Sequence, residues 1–561
     1  MVPGNGAQRH IRVAIIGAGM SGLCMAVKLQ DAGIDSYVIF ELADDVGGTW
    51  RDNTYPGLTC DVPSRYYSYS FRPNPNWSRI LPPGSEIQTY FQQVADERGI
   101  RSHIRFGTEV SSARFQHGQW WVTTSAGEEP FDVLITATGV LRVPRYPQIR
   151  GLDSFAGPMF HSSRWDHAVS LPDKRIGLIG TGSTGVQITA ELGGRVRGLK
   201  VFQRTPQWVF PWANLHYSPL GRAALRRWPI LSRPGYRFWG WQFRHTFGRA
   251  PIRPGWQRTT VQALCRWNLQ LSVRDPQLRR KLTPQDQPLC KRLIGAGHFY
   301  RSVQKPGVEV ITDAIDHVEP RGVVTADGVL HELDVLVLAT GFDARAYVRP
   351  MNIVGEDGLT LDEAWAEGPR AYRSVAVPGF PNMFMLMGPH SPFGNQSLVP
   401  IAEDQADYAM WWISQIRDGR VVTAAPTQAA TKTYNDAMKT AMPQTIWVSG
   451  CSSWYLGKDG LPELFPWTPE RHHGRSGATL CGCRSSTATS RVRFPRAHDH
   501  SRTPRRRGRG VRRGLRAGQA QTPAGIRRRI AAAPFGFAGG GDGTGTRMPV
   551  AAIPARRRRR P

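Results

Sequence analysis

The sequence lacks several features that would place it in easily recognised classes of protein. No apolar run approaches the roughly 18 residues that a membrane-spanning helix needs, and no basic-then-apolar leader precedes the first apolar segment. The seven cysteines show no spacing typical of a disulfide framework. We therefore expect a reduced, cytoplasmic protein without a transmembrane segment, and we predict no metal site.

Negative charge is also scarce, since 43 acidic residues accompany 72 lysines and arginines and leave a formal net charge of +29. Much of this excess lies in residues 474–561, which contain 22 arginines, two acidic residues and no lysine. The segment has no sustained apolar periodicity, so we predict a disordered arginine-rich tail. It is either an arm for RNA, DNA or anionic lipid or, as we favour, a product of a shifted reading frame with no selected role.

A first glycine-rich loop follows the apolar residues 13–16. It contains Gly17, Gly19 and Gly22, and a second apolar run ends at Glu41, 24 residues after Gly17. The first glycine of such a loop permits a tight turn, the second lets backbone approach a pyrophosphate, and the third lets helix and strand pack closely. The helix N-terminus adds unpaired N–H groups for the phosphates. A carboxylate at this distance accepts hydrogen bonds from a ribose, so Glu41 indicates FAD or NAD.

A second loop of the same kind follows the apolar residues 176–179. It contains Gly180, Gly182 and Gly185, and Arg204 again lies 24 residues after the first glycine. A guanidinium at this place suits a 2′-phosphate, so Arg204 indicates NADP. The two loops therefore predict two different dinucleotides in one chain.

The order of these patterns predicts an α/β fold with two Rossmann-like dinucleotide-binding domains, a helical insertion and the tail. The strand-like runs 131–135 and 334–338 both end in Ala-Thr-Gly and are interpreted as matching last strands, and the run 382–387 is expected to return to the first domain. The predicted segments are the FAD domain (10–148 and 372–473), the NADP domain (149–204 and 290–371), the helical cap (205–289) and the tail (474–561).

The junction between the predicted domains carries a fingerprint that resembles that of type I Baeyer-Villiger monooxygenases. Its spacing, F-x-G-x-x-x-H-x-x-x-W-D, is formed by Phe155, Gly157, His161, Trp165 and Asp166. The resemblance continues through Gly47 to Trp50, Tyr55-Pro56-Gly57, Cys290-Lys291-Arg292 and Trp454-Tyr455. It covers about residues 10–473 and implies FAD and NADPH as cofactors, with a ketone and O2 as substrates.

The resemblance also implies roles for individual residues. Arg292 would lie over the flavin and stabilise a flavin peroxide anion, and Asp61 beside it would orient Arg292. Lys291 and Thr205 would join Arg204 at the NADP phosphate. His161 is expected to fix the hinge between the domains rather than to catalyse. The other expected cofactor-binding residues are Gly48, Thr49, Trp50, Ser183 and Thr184.

The implied reaction converts a ketone to an ester or lactone. The alternatives are an S- or N-oxygenating flavin-containing monooxygenase, whose fingerprint should lack Trp165-Asp166, and an inactive flavoprotein with a nucleic-acid-binding tail. We expect no specific nucleic-acid partner. A flavin disulfide reductase is disfavoured because Cys24 and Cys60 lack the C-x-x-x-x-C spacing.

The predicted cap is rich in tryptophan, namely Trp208, Trp212, Trp228, Trp239, Trp241 and Trp256. Three interpretations are open. The first, which we favour, is that the tryptophans pack in the core of the cap. The second is that they line a large apolar ketone pocket, and the third is that they contact a membrane surface peripherally.

Overall fold

The computed structural model describes residues 9–451, 453, 455–476 and 483–486. Most of the predicted tail therefore lies outside the described residues, as do Trp454 and Cys481. The prediction of a disordered tail stays a prediction, and only two short pieces of that tail are described. Residues 474–476 end a helix, and residues 483–486 form a strand that pairs with residues 423–426.

The strands of the described residues follow the chain in this order: β1 (Val13–Ile16), β2 (Tyr37–Phe40), β3 (Ile104–Arg105), β4 (Val110–Gln116), β5 (Gln119–Thr124), β6 (Gly127–Phe131), β7 (Val133–Thr136), β8 (Met159–His161), β9 (Arg175–Ile179), β10 (Gly198–Phe202), β11 (Val308–Ile311), β12 (Ile315–Glu319), β13 (Gly322–Thr325), β14 (Leu330–Glu332), β15 (Val335–Leu338), β16 (Asn352–Val354), β17 (Met383–Met385), β18 (Thr423–Pro426) and β19 (Cys483–Ser486).

The α-helices are α1 (Met20–Asp31), α2 (Thr49–Asp52), α3 (Gly84–Glu97), α4 (Ser183–Leu192), α5 (Pro219–Arg227), α6 (Ser232–His245), α7 (Trp256–Ser272), α8 (Pro276–Leu282), α9 (Phe299–Ser302), α10 (Leu361–Ala364), α11 (Leu398–Arg417), α12 (Gln428–Ala441) and α13 (Pro469–Ser476). Short 3-10 helices lie between several of them.

The first nucleotide-binding sheet has the strand order β17-β7-β1-β2-β3, and its strands are parallel. Its central strands are uninterrupted apolar runs because a parallel sheet is covered by other elements on both faces. Helices α1 and α11 pack against each other beside it. The return of residues 382–387 to the first domain is confirmed, since β17 pairs with β7.

The second sheet repeats this arrangement with the order β11-β10-β9-β15-β8, again with parallel strands. In each sheet the strand before the glycine loop lies between the strand after the loop helix and the strand before Ala-Thr-Gly. The two-domain α/β architecture is thus confirmed. The exact limits of the predicted domains stay predictions.

Three small sheets complete the fold of the described residues. Strands β16-β4-β5-β6 form the first, the antiparallel strands β12-β13-β14 form the second, and the antiparallel pair β18-β19 forms the third. None of them was predicted from the sequence.

The cap between β10 and β11 contains the helices α5 to α8. The favoured interpretation of its tryptophans is wrong for the three that are exposed, whereas Trp208 and Trp239 pack against the hydrophobic core. Trp208, Trp212 and Trp239 are half-buried, whereas three lie at the surface, namely Trp228, Trp241 and Trp256. Among the described residues, no helix combines the length and the apolar character that crossing a bilayer requires.

The expectation of fully reduced cysteines is wrong at one pair. A disulfide joins Cys290 to Cys451, which are 161 residues apart in sequence. Cys24, Cys60 and Cys265 are free and buried. The fold brings Cys290 and Cys451 together from distant segments, so no local spacing could reveal the pair.

Candidate cofactor and catalytic site

The first glycine loop joins β1 to α1 in a conformation that leaves no room for a side chain at Gly17 or Gly22. Gly17 has φ +105°, and a Cβ there would lie 2.7 Å from the carbonyl oxygen of Ala137. A Cβ at Gly22 would lie 1.9 Å from the carbonyl oxygen of Gly17, so the third glycine permits the close approach of helix and strand. Helix α1 begins after Gly19 without a side-chain cap or an acidic residue in its first turn. Its N–H groups and its positive dipole end therefore remain open to an anion.

Glu41 lies buried at the end of β2 and faces this loop. Its carboxylate accepts hydrogen bonds from the backbone N–H of Ala18 at 2.7 Å and of Ala43 at 3.0 Å. The Nη1 atom of Arg51 also donates to it at 2.9 Å. Burial disfavours the charged form of Arg51, but Glu41 and Asp52 outweigh this and raise the pKa of Arg51. Glu41 is thus held by three hydrogen bonds at the position expected for a ribose.

A second backbone segment borders the same space. Gly48 has φ +54°, and a Cβ at Gly19 would lie 3.6 Å from its Cα. Because both neighbours are glycines, the space beside the start of α1 is bordered by backbone that a ligand can approach. Thr49 and Trp50 begin α2, and Trp50 Nε1 donates to the hydroxyl of Tyr67 at 3.0 Å.

The second loop has the same construction between β9 and α4. Gly180 has φ +109°, and a Cβ at Gly185 would lie 2.0 Å from the Gly180 carbonyl oxygen. At Gly182 a Cβ would have no neighbour within 4 Å. Ser183 and Thr184 form the first turn of α4, which has no side-chain cap and no acidic residue in that turn. The residues of both loops therefore fit a pyrophosphate.

Arg204 follows β10 at the surface, and within the described residues its side chain has no ion-pair partner. The carbonyl of Thr205 accepts a hydrogen bond from Thr181 at 2.7 Å, which ties this segment to the glycine loop. Lys291 instead pairs with Asp286 at 2.7 Å. Among the described residues Arg204 is thus a cation without a counter-ion beside the second loop, whereas Lys291 pairs with Asp286.

The predicted catalytic pair, Arg292 and Asp61, is a two-pronged ion pair in the structure. Arg292 Nε donates to Asp61 Oδ2 and Nη2 donates to Oδ1, both at 2.7 Å. Nη1 donates to the carbonyl oxygen of Phe393 at 3.1 Å. These contacts use three of the five guanidinium N–H groups, so two remain for a ligand.

The surroundings of this pair keep Arg292 charged. Burial opposes the charge, but the Asp61 carboxylate outweighs it and raises the pKa of Arg292 further. About a third of the side-chain surface, 34%, still remains accessible. Tyr455 lies close by, and burial raises the pKa of its hydroxyl to about 12. The site therefore presents a permanent, partly accessible positive charge in a mostly enclosed setting.

Tyr55-Pro56-Gly57 connects this pair to the second loop. The Tyr55 hydroxyl lies 2.9 Å from Gln187 Oε1 on α4 and accepts a longer bond from Thr184 at 3.4 Å. Gln187 Nε2 donates to the Thr59 carbonyl at 2.9 Å. The chain segment that carries Asp61 is therefore anchored directly on the helix of the second nucleotide loop.

The fingerprint residues lie on and beside β8, the outer strand of the second sheet. Phe155 is buried beneath the second sheet, and a Cβ at Gly157 would lie 2.5 Å from the Asp334 carbonyl oxygen. Trp165 packs on Phe160 with ring centroids 5.0 Å apart. Asp166 is exposed and accepts a hydrogen bond from the N–H of Ala168.

His161 is fully buried at the end of β8. Its Nδ1 accepts from the N–H of Ser163, so Nε2 carries the proton and donates to the Gly341 carbonyl at 3.0 Å. Burial lowers the pKa of His161 and keeps it neutral. This geometry supports a structural role in which His161 holds the linker against the Ala-Thr-Gly segment.

Several residues of the site could not be predicted from the sequence. Arg51 gave no signal because its partner Glu41 lies ten residues earlier in an unrelated element. The Phe393 carbonyl is a backbone group that no motif could mark. Gln187 had a weak signal, since it lies one helical turn after Thr184 and so faces the same side of α4.

A family model described as "Flavin-binding monooxygenase-like" matches residues 10–221. An uncharacterised monooxygenase of Mycobacterium tuberculosis is 54% identical over 82% of this chain and 93% of its own length. A Baeyer-Villiger monooxygenase of Streptomyces coelicolor is 38% identical over 80% of this chain and 88% of its own length.

A crystal structure of OTEMO in complex with FAD and NADP has the same fold. It superposes with a TM-score of 0.77 at 28% sequence identity and covers 85% of this chain and all of that one.

Proposed function

This chain belongs to the Baeyer-Villiger monooxygenase family, and we propose on that basis that it uses FAD, NADPH and O2 to convert a ketone to an ester or lactone. The enzyme is a flavin-dependent monooxygenase. When bound, the flavin takes hydride from NADPH and activates O2, which protein side chains alone do not do. The roles of individual residues below are part of the proposal.

We assign FAD to the loop after β1. The N–H groups of α1 would bind the pyrophosphate, and Glu41 would accept hydrogen bonds from the adenosine ribose. Arg51 fits this role because it holds Glu41 in place while leaving the loop itself free of side chains.

NADPH is assigned to the loop after β9. The N–H groups of α4 would bind its pyrophosphate, and the exposed guanidinium of Arg204 would bind its 2′-phosphate. Lys291 would contribute to this phosphate only after it exchanges Asp286 for the ligand, so we assign the larger share to Arg204.

Arg292 would act at the reacting atoms. Its two unused N–H groups would stabilise negative charge that develops on oxygen during the reaction, and the enclosed setting strengthens that interaction. Asp61 is a positioning residue, because its two oxygens fix the plane of the guanidinium. The Arg292–Asp61 pair beside two uncapped nucleotide loops is the observation that carries the proposal.

The test is Arg292→Ala in the full-length protein. The variant should retain FAD and be reduced by NADPH, because both nucleotide loops are intact. Ester formation from a ketone should fall by about a hundredfold or more, the usual effect of removing one such donor. Visible absorbance follows the reduction, and mass spectrometry follows the ester.

Arg175→Ala is the matched control. Arg175 makes a comparable two-pronged pair with Asp334, but at the opposite end of β9 from the glycine loop. It should leave ester formation unchanged. An Arg292→Ala enzyme with normal ester formation would remove Arg292 from the reaction, and a wild-type protein without flavin would reject the whole proposal.

A further inference from the structure

The cap carries six large exposed apolar side chains on α5, α6 and the turn that joins them. We call this set the cap face. Leu220 is 84% exposed, Ile230 66% and Trp241 56%. Its members are Leu220, Trp228, Ile230, Leu231, Phe238 and Trp241. Isolated apolar residues are normal on a protein surface, but a cluster of this kind marks an interaction site.

The charge around the cap face has one sign. Residues 205–274 contain eleven arginines, no lysine and no acidic residue. Four of these arginines are exposed on the same elements as the apolar side chains, namely Arg226, Arg227, Arg233 and Arg237. Within the described residues none of the four has an ion-pair partner. The face therefore combines apolar groups with uncompensated positive charge.

The opposite side of α6 is well packed, so the exposed side is not a consequence of a loose helix. Tyr236 and Phe243 pack on the ring of Tyr66, with centroids 5.7 and 5.9 Å away. A Cβ at Gly240 would lie 2.9 Å from the same ring. Trp241 and Arg237 are four residues apart and so share the outward side of the helix.

We propose that the cap face docks the enzyme on the surface of an anionic lipid bilayer. Leucine, isoleucine and tryptophan side chains would enter the boundary between headgroups and acyl chains, and the arginines would pair with anionic headgroups. Tryptophan suits this depth because its ring is apolar and its N–H stays hydrated.

Other occupants fit the charge less well. A second copy using the same face would bring two sets of uncompensated arginines together. The segment 487–561 carries arginine runs of the same sign, so it does not complement the face either. A nucleic acid would match the arginines but offers no environment for Leu220 and Ile230. A lipid surface satisfies both kinds of side chain.

The experiment uses the full-length, flavin-loaded protein and large vesicles of phosphatidylcholine with or without phosphatidylglycerol. Sedimentation at physiological salt measures the fraction bound. The wild type should bind the mixed vesicles and bind pure phosphatidylcholine far more weakly. Arg226→Gln with Arg227→Gln should lower the partition coefficient by about fivefold for each arginine.

A second variant tests the apolar component. Leu220→Ser, Ile230→Ser and Trp241→Ser together should lower the partition coefficient by more than about tenfold. The controls are Arg150→Gln with Arg321→Gln, and Val329→Ser with Val422→Ser, which change exposed residues away from the cap. Flavin content and melting temperature verify that each variant is folded.

Lipids with brominated acyl chains separate the cap from the arginine-rich C-terminal segment. Residues 474–561 contain no tryptophan, so quenching of tryptophan fluorescence cannot come from them. Trp228→Phe with Trp241→Phe should reduce the quenching while the protein still sediments with vesicles.

Three results would overturn the proposal. The wild type could fail to bind anionic vesicles, or the cap variants could bind as the wild type does, which would assign binding to another segment. The apolar variant could instead convert an oligomer to a smaller species in light scattering without any vesicle binding, which would make the cap face a contact between copies.

Discussion

At the scale of single residues, Glu41 and Arg204 occupy equivalent places after the two loops but have different surroundings. Glu41 is buried and already accepts three hydrogen bonds, whereas Arg204 is exposed and has no ion-pair partner among the described residues. Glu41 therefore also shapes its own loop, while the contribution of Arg204 depends on a ligand.

We predict that Arg204→Gln impairs the use of NADPH but not of NADH. Loss of a charge-assisted contact to the 2′-phosphate should raise the KM for NADPH by about ten- to a hundredfold. NADH lacks that phosphate, so its KM should not change. Steady-state oxidation of the two coenzymes measures both effects, with Arg197→Gln at the other end of β10 as the control. Equal effects on both coenzymes would contradict the assignment.

A second residue-scale prediction concerns Glu403, which lies buried on α11. Burial raises its pKa from 4.5 to about 7, although the N–H of Ser70 partly opposes this. The pKa of Glu403 is higher in the folded than in the unfolded protein. The contribution of the protonated side chain to stability is therefore complete below pH 4.5 and is lost as the pH rises through 7. Glu403→Gln imitates the protonated side chain.

The Glu403→Gln variant should therefore match the wild type near pH 4.5 and be more stable at pH 8, by about 3 kcal/mol. Melting temperatures across this range measure the difference. The exposed Glu367→Gln should show no such trend. A difference in melting temperature that does not change with pH would show that it does not arise from the titration of Glu403.

At the scale of elements, the glycines of one loop differ in what they do. Gly185 serves the packing of α4 on β9, since a Cβ there would meet the Gly180 carbonyl. Gly182 faces open space, so its lack of a side chain serves a ligand rather than the fold.

We therefore predict that Gly182→Ala folds normally but binds NADPH poorly. Its φ of −68° is allowed for alanine, and the added methyl group would project into the space that a pyrophosphate needs. The KM for NADPH should rise at least about tenfold with unchanged FAD content and melting temperature. Gly185→Ala should lower the melting temperature instead. The same result from both variants would contradict the assignment of ligand binding to Gly182 and of helix packing to Gly185.

The disulfide joins two elements next to the candidate site. Cys290 precedes the Lys291-Arg292 segment, and Cys451 lies close to Tyr455 in sequence. Closing a loop of 161 residues restricts the unfolded chain and, in the chain-entropy view, stabilises the folded one by roughly 3–5 kcal/mol.

Cys451→Ala should consequently lower the melting temperature, and reductant should lower that of the wild type but not of the variant. Thermal unfolding with and without dithiothreitol is the measurement. A wild type that is insensitive to reductant, with Cys290 and Cys451 titrating as free thiols after denaturation, would show that the bond does not contribute.

At the scale of the whole molecule, the two sheets were predictable because each repeats one local pattern. An apolar run, three spaced glycines and a second apolar run define β1-α1-β2 and β9-α4-β10 without any long-range information. The pairings of β16 with β4 and of β18 with β19, like the disulfide, join distant segments for which no local pattern exists. The other pairings of the small sheets are hairpins between neighbouring strands, which the glycine-loop pattern does not mark.

The candidate site was predictable to a similar degree. The resemblance indicated Arg292 and Asp61, and the structure brings them together across 231 residues of sequence. Three other contacts became visible only in three dimensions, namely the pairing of Arg51 with Glu41, the Phe393 carbonyl and the counter-ion of Lys291. Exposure of the cap tryptophans was missed because tryptophan is usually at least partly buried.

The most direct test of the account is ketone oxidation by the purified protein with NADPH under labelled O2. The preparation should be yellow with bound FAD, NADPH should be consumed faster when a ketone is present, and the ester should carry one labelled oxygen atom by mass spectrometry. A flavin-free protein, or an ester without the label, would contradict the assignment of this chain as a Baeyer-Villiger monooxygenase.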